Sequence, residues 1–421
     1  MDFIKTPVKG MRDQLPADVL LRQHVMGMIR ETYRRYGFSE IETPAMEHIE
    51  NLSNKQGGEN EKLIFKILKR GRDLDKVLAA GGKDFADTGL RYDLTVPLAR
   101  YYAANAAQLP SPFKALQIGS VWRADKPQKG RFRQFTQCDI DILGDATNLA
   151  EIELIGATTA MLSAIFAEAG IRGFTVHVSD RRILQGMARY AGFCEEDFGN
   201  VFIILDKLDK IGLDGVTEEL KKAGYDGAAV EKLTAVFAGD FAGNEPEEFC
   251  AFLDETCLDP AVPANLGQIL ACVRAMKAEG VTVVFDPTLV RGMGYYTGTI
   301  FECTIDGYGF AIAGGGRYDK MIGRYSGTDV PACGFSIGFE RIITILQDQA
   351  ADLTRTAGGK VAILAEKGLD AEKLSGAFAR AQSLRAAGKT VTVQTMKKNI
   401  RRQIELLEAE GYTEIEKVYR S

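Results

Sequence analysis

Histidine is scarce in this 421-residue chain: His24, His48 and His177 are the only three, far apart in the sequence. Such a set gives little support to a zinc site or to a catalytic histidine with a neighbouring triad partner, so no tightly bound protein metal is expected. The seven cysteines are odd in number and scattered at positions 138, 194, 250, 257, 272, 303 and 333, with no CxxC pair. This pattern fits reduced thiols and a cytoplasmic location. No run of about 18 apolar residues occurs, so no membrane span is expected. The opening MDFIKTPVKGMRDQLP lacks the apolar core of a signal peptide. Internal repeats and low-complexity segments are also missing.

What is present is ordinary in bulk and uneven in detail. Hydrophobic residues make up 46% and charged residues 26%, as in globular proteins, and the length suggests two to four domains. The net charge of −5 argues against a general nucleic-acid binder. Locally, Glu195 to Glu255 holds 16 acidic and 5 basic residues, whereas Arg123 to Arg133 holds five basic residues against Asp125. Lys360 to Ser421 is basic again, with 12 basic and 8 acidic residues. Basic patches in an acidic chain point to specific polyanion contacts.

Apolar residues at Leu20, Leu21, Val25, Met28, Ile29, Tyr33 and Tyr36 follow the helical period over 17–36, and Gly37 stands where a helix would end. Residues 38–44, 113–122, 132–143 and 296–305 read as strands, with Asp306-Gly307 as a hairpin turn leading into FAIAGGG. The acidic stretch from 185 to 262 has a helical pattern and reads as an insertion into a strand-rich region. After a linker at 351–359, residues 360–421 read as β-α-β-α-β, a small α/β domain.

The segment RFRQFTQCDIDILG (131–144) alternates. One face of a strand would carry Arg131, Arg133, Phe135, Gln137, Asp139 and Asp141, and the other mainly apolar or small residues. Such a face suits a ligand that is anionic at one end and cationic at the other, although alternation alone equally describes a solvated edge strand. On composition alone, Tyr295-Tyr296 fits core packing and GGGR (314–317) a flexible turn, without the GxxxxGK[ST] order of a phosphate-binding loop.

Four blocks in order change the reading. VWRADKPQKGRFRQF (121–135) resembles motif 2 of class II aminoacyl-tRNA synthetases, and ACGFSIGFERIITIL (332–346) resembles motif 3. LVRGMGYYTGTIFE (289–302) with AGGGRYD (313–319) is similar to the histidine-specific signature of histidyl-tRNA synthetases, and RYDLT (91–95) to a version found in one branch of that family. KGMRD (9–13) and the helix and strand ending at Pro44 resemble the family's opening and its dimer-forming motif 1.

The resemblance implies an α+β core with a mostly antiparallel sheet, split into 1–184 and 263–350 by the helical insertion 185–262. A shortened anticodon-binding-like α/β domain, 360–421, follows. It implies activation of histidine by ATP, which arrives with Mg²⁺, and transfer from the adenylate to the 3′ end of tRNA(His) by a cytoplasmic homodimer. Arg123 and Arg291 would stabilise charge on the α-phosphate, with Asp125, Arg131, Phe135 and Arg341 completing the ATP contacts. Asp93, Thr95, Gln137, Asp141, Arg291, Tyr295, Tyr296 and Tyr318 would hold histidine. Gln128, Lys129, Lys397, Lys398, Arg401 and Arg402 would meet tRNA. Gly294 departs from the Asp that many members carry. A histidine-sensing, synthetase-like regulatory subunit of ATP phosphoribosyltransferase is the competing expectation.

Overall fold

The computed structural model describes residues 3–53, 60–83, 85–127, 131–239, 245–290, 295–349 and 359–420. They fall into two compact units, residues 1–351 and 352–421.

The first unit is organised by an eight-stranded sheet. In spatial order its strands are Ser39–Glu40, Phe113–Trp122, Gln134–Leu143, Ala332–Ile337, Ala313–Arg317, Thr299–Thr304, Phe174–Asp180 and Val281–Phe285. All neighbours run antiparallel except the pair at each edge, Ser39–Glu40 with Phe113–Trp122 and Phe174–Asp180 with Val281–Phe285. The mostly antiparallel α+β core read from the sequence is therefore present. Helix Pro16–Arg35 occupies the predicted segment. It buries the stripe Leu21, Val25, Ile29 and Tyr33, and Gly37 follows it at φ +81°. Only a left-handed residue turns the chain this sharply at low cost, hence glycine.

Helix Leu149–Glu168 is long and apolar enough to cross a membrane by length and composition. It is instead a core helix, with Leu154, Ile155, Met161, Leu162, Ile165 and Phe166 buried. Its first turn is tied down by Glu151, which accepts two hydrogen bonds from Arg317, at 2.6 Å each.

Three expectations are corrected in detail. The strand read as 132–143 begins at Gln134. Arg133 is diverted, its backbone N–H donating to the Gly10 carbonyl and its Nε to that of Asp125. Asp306-Gly307 is not a two-residue hairpin turn. Cys303 pairs with Ala313, so the connection is long, with a turn at Ile305–Tyr308 inside it. GGGR is not a flexible turn but a buried central strand of the sheet. A Cβ on Gly315 would lie 2.0 Å from the Gly334 carbonyl oxygen, and one on Gly316 2.6 Å from that of Thr299. The glycines are there because neighbouring backbone fills the space a side chain would need.

The acidic stretch is helical, as its pattern suggests, with helices Arg181–Ala191, Phe198–Leu205, Leu208–Lys222, Gly227–Phe237 and Pro246–Cys250 before Ala261–Met276. Positions 185 and 262 fall inside the first and last of these.

The second unit is a three-stranded parallel sheet, Lys360–Ala365 in the middle, flanked by Thr390–Thr395 and Glu414–Val418. The middle strand is apolar from Val361 onward because both its faces are covered. Val361 and Ile363 pack on Ala377, Ala381 and Leu384 of helix Ala371–Ala386, while Ala362 and Leu364 pack on Leu407 of helix Ile400–Ala409.

Candidate functional site

Paired residues on neighbouring strands share a face, so the ladder dictates which side chains meet. Asp141 lies opposite Gly334, and Asp139 opposite Ser336. These strands, the turn before helix Thr95–Asn105 and the N-terminus of helix Phe339–Asp348 enclose a cavity of about 270 Å³. Asp93, Thr95, Gln137, Asp141, Tyr295, Tyr296 and Tyr318, read as histidine contacts, all line it. So do Arg123, Asp125, Arg131, Phe135 and Arg341, read as ATP contacts. Arg291, Gly294, Gln128 and Lys129 lie outside the described residues. Lys397, Lys398, Arg401 and Arg402 are exposed in the second unit, before and in the first turn of helix Ile400–Ala409.

The cavity is polarised along strand Gln134–Leu143. At one end three carboxyl groups, Asp93, Asp139 and Asp141, are each 3–4% exposed. Asp141 Oδ1 accepts a 2.5 Å hydrogen bond from the Tyr318 hydroxyl, and Asp93 Oδ1 one of 3.1 Å from the Val96 backbone N–H. Burial raises the pKa of all three and so opposes their ionisation, and the proximity of Asp141 adds to the effect at Asp139. Asp141 is pushed up to about 7 by burial, the Tyr318 hydrogen bond opposing it. Tyr295 packs tilted against Tyr296, with ring centres 4.7 Å apart, and edge-on to Tyr318, at 6.0 Å, and closes this end.

The other end is cationic. The Arg123 guanidinium lies 5.1 Å from the Phe135 ring centre, and its Nε donates to the Tyr92 carbonyl at 2.9 Å. Arg131 approaches Asp125 at 3.9 Å. Arg341, in the first turn of its helix, donates to the Ala311 carbonyl and lies 5.3 Å from the Phe310 ring centre. A dipolar small molecule with a cationic end and a phosphate-bearing end matches this distribution.

Sequence reasoning missed the residues that hold these groups in place. Glu340 accepts from both Arg22 Nη atoms, at 2.7 and 2.8 Å, from Arg12 at 3.1 Å and from the Thr136 backbone N–H at 3.1 Å. Those cations overcome its burial and hold its carboxyl below the usual range. It thereby fastens the helix of Arg341 to the strand of Phe135. Adjacency to Arg341 was the only local signal, since Arg22 is 318 positions away. Asp139 and Ser336 were also missed as site residues, although alternation had put Asp139 on the right face.

The acidic end makes the ligand-free protein pH-sensitive. Asp141 keeps its proton in the native state up to about pH 7, while in the unfolded chain it loses it near its ordinary value of 3.8. Between those limits Asp141 makes the native state bind more protons, so its contribution to stability falls as pH rises and levels off above about 7. Urea midpoints measured from pH 5 to 8 should show this slope, and Asp141→Asn should reduce it.

The antiparallel sheet with its cleft between motif-2-like and motif-3-like strands is the architecture of a class II aminoacyl-tRNA synthetase core. The family described as histidyl-tRNA synthetase matches residues 10–342. A histidine–tRNA ligase of Leifsonia xyli subsp. xyli is 44% identical over 97% of this chain and 94% of its own length. One from Aeropyrum pernix is 38% identical over 80% and 73%. The crystal structure of histidyl-tRNA synthetase from Nostoc sp. PCC 7120 superposes with a TM-score of 0.78 at 26% identity, covering 97% of this chain and 90% of that one. The chain belongs to the histidyl-tRNA synthetase family. A Bacillus halodurans structure described as an ATP phosphoribosyltransferase regulatory subunit/histidyl-tRNA synthetase has a TM-score of 0.76 at 20% identity, which is a likeness of fold.

Proposed function

We propose that this chain is a histidine–tRNA ligase, which activates histidine with ATP and transfers it to the 3′ end of tRNA(His). Histidine, ATP and tRNA are the substrates that family membership implies. One observation carries the reading to this chain: every described residue assigned to ATP or histidine lines the same polarised cavity. The regulatory-subunit alternative rests on likeness of fold alone.

No side-chain nucleophile is needed. The histidine carboxylate attacks the α-phosphate in line and pyrophosphate leaves; the terminal ribose hydroxyl of tRNA then attacks the acyl carbon, giving up its proton as AMP leaves. Catalysis is positioning and charge stabilisation. Arg123 and Arg291 serve the α-phosphate, Arg341 the departing phosphates, and Phe135 stacks under the base with Asp125 beside it. Arg131 adds positive charge at the same end. Asp93, Thr95, Gln137 and Asp141 accept from the ammonium and imidazole donors, walled by Tyr295, Tyr296 and Tyr318. Mg²⁺ travels with ATP, held largely by its phosphates. Histidine-dependent ATP–pyrophosphate exchange, assayed against the other amino acids, tests the first step, and charging of tRNA(His) the second. Exchange with no preference for histidine would remove the assignment.

Gly334 supplies a sharper check on the pocket. A Cβ there would lie 2.0 Å from Asp141 Oδ1 and 3.2 Å from the Tyr318 ring. Gly334→Ala is expected to displace the Asp141–Tyr318 pair and raise KM for histidine at least about tenfold, the effect of one lost charge-assisted hydrogen bond. KM for ATP should change far less.

The remaining assignments form part of the same proposal. On the same reading the protein is a cytoplasmic homodimer, and the exposed apolar side chains of Phe3, Ile4, Val8 and Leu15 are suited to being covered by a second copy. Sedimentation of the full chain tests it. Residues 360–421 act as an anticodon-binding-like domain, with Lys397, Lys398, Arg401 and Arg402 on tRNA phosphates. Gln128 and Lys129 serve the acceptor end, and the helices of 185–262 form an inserted domain between the two parts of the core.

A further inference from the structure

We infer that Asp139 sets the orientation of the Gln137 side-chain amide, and so decides that the pocket presents an acceptor rather than a donor to the amino-acid substrate. This rests on the reading that the cavity takes histidine. Asp139 shares a strand face with Gln137, is 4% exposed, and lies opposite Ser336 in the ladder. The Ser336 hydroxyl donates to Asp139 Oδ1 at 2.6 Å. A hydroxyl has one proton, so with that proton given to the carboxylate Ser336 Oγ offers only lone pairs. Gln137 Nε2 donates to that oxygen at 3.0 Å, and to Asp139 Oδ2 at 3.4 Å. Both contacts hold the amide nitrogen toward Asp139 and turn the amide oxygen away. That oxygen, Oε1, is buried and has no hydrogen-bond partner among the described residues.

A buried acceptor without a partner is costly unless a ligand supplies a donor. Both the ammonium and the imidazole N–H of histidine are donors. The chain from carboxylate through hydroxyl to amide therefore has one direction while Asp139 is ionised, and its far end is an unpaired acceptor on a residue of the cavity wall. Burial and the neighbouring Asp141 carboxyl oppose that ionised form, whereas the Ser336 hydrogen bond, Arg123 and a cationic substrate favour it. Asp139 acts through Ser336 and Gln137, so it is a positioning residue.

Asp139→Asn tests this with almost no change of shape. Asparagine keeps an acceptor for Ser336 but places an amide N–H₂ where Oδ2 met Gln137 Nε2. Two donors then face each other, and the Gln137 amide turns over, presenting N–H to the substrate. Histidine affinity of the full chain, read by calorimetry, should weaken about tenfold or more, with KM for ATP in the exchange assay within about twofold of wild type. Gln137→Glu presents an acceptor whichever way it is turned. Asp139→Asn should therefore cost little in a Gln137→Glu background, and the double variant should bind histidine about as well as Gln137→Glu alone. Should Asp139→Asn fail to fold, Ser336→Ala breaks the same chain and is expected to weaken histidine in the same selective way.

Unchanged histidine affinity in Asp139→Asn, equal losses for histidine and ATP, or the same loss in the Gln137→Glu background would each overturn the inference. Failure of the ligase reading looks different: wild type would bind histidine, and lose that binding in Asp139→Asn, yet show no exchange. A wild-type chain that binds no histidine overturns both.

Discussion

Replacing Arg123 with alanine is expected to slow histidine-dependent ATP–pyrophosphate exchange by about 10²–10³, the usual loss when one preorganised donor is removed from a developing charge. The side chain is fixed from two sides, by its Nε bond to the Tyr92 carbonyl and by the Phe135 ring beneath its guanidinium. A fixed cation does not have to reorganise as charge builds on the phosphoryl oxygens, so its loss should fall mainly on kcat rather than on histidine KM. Arg123→Lys should recover little. Lysine is a point charge on a flexible stem and lacks the planar fork that reaches the Tyr92 carbonyl and a phosphate together. Equal effects on histidine KM and kcat, or near-full activity in the lysine variant, would contradict this role. Calorimetric titration with histidine separates the explanations, because the carboxyl end of the cavity should still bind it.

Glu151→Ala is expected to destabilise the first unit by about 3–5 kcal/mol, the cost of leaving a buried charge without its partner. Glu151 is 2% exposed and Arg317 8%. Burial works against the Arg317 charge, but the paired hydrogen bonds and charge of Glu151 outweigh it and hold the guanidinium more firmly protonated than usual. The remaining Arg317 donors go to the carbonyls of Asp145 and Thr147 and to Asp319. These neutral carbonyls and one half-exposed carboxylate do not replace Glu151. The loss should appear as a lower urea midpoint with an unchanged slope. A shift under about 1 kcal/mol, the range of surface pairs, would show that the pair is effectively solvated. Because Arg317 ends the strand before Tyr318, a partial loss of histidine affinity should accompany the loss of stability.

The comparison of sequence with structure divides by range of interaction. Helix Pro16–Arg35 and the β-α-β-α-β order of the second unit were legible because their signals are local: apolar period, a closing glycine, and an apolar strand followed by alternating helical and strand patterns. The face carrying Phe135, Gln137, Asp139 and Asp141 was legible from alternation. The motifs supplied what alternation could not, namely which distant segments meet that face. What stayed hidden was pairing at a distance. Nothing local shows that Arg22 reaches Glu340, or that Arg317 reaches Glu151. On composition alone GGGR fits a turn as well as a strand, because its constraint comes from the backbone of other strands. At Asp306-Gly307 the favourable dipeptide does give a turn, but the ladder register, with Cys303 opposite Ala313, decides where the strands end.

The same glycine strand, with Gly334 on the strand beside it, has a genetic consequence. Any missense change at a glycine codon adds at least a Cβ, and at Gly315, Gly316 and Gly334 that atom would meet a backbone carbonyl or the Asp141 carboxylate within 2.6 Å. These codons therefore have no tolerated amino-acid neighbours. Strong constancy there among related genes would record the closeness of strands as well as contact with substrate. Loss-of-function alleles should gather at these codons as readily as at those for the arginines and aspartates of the cavity.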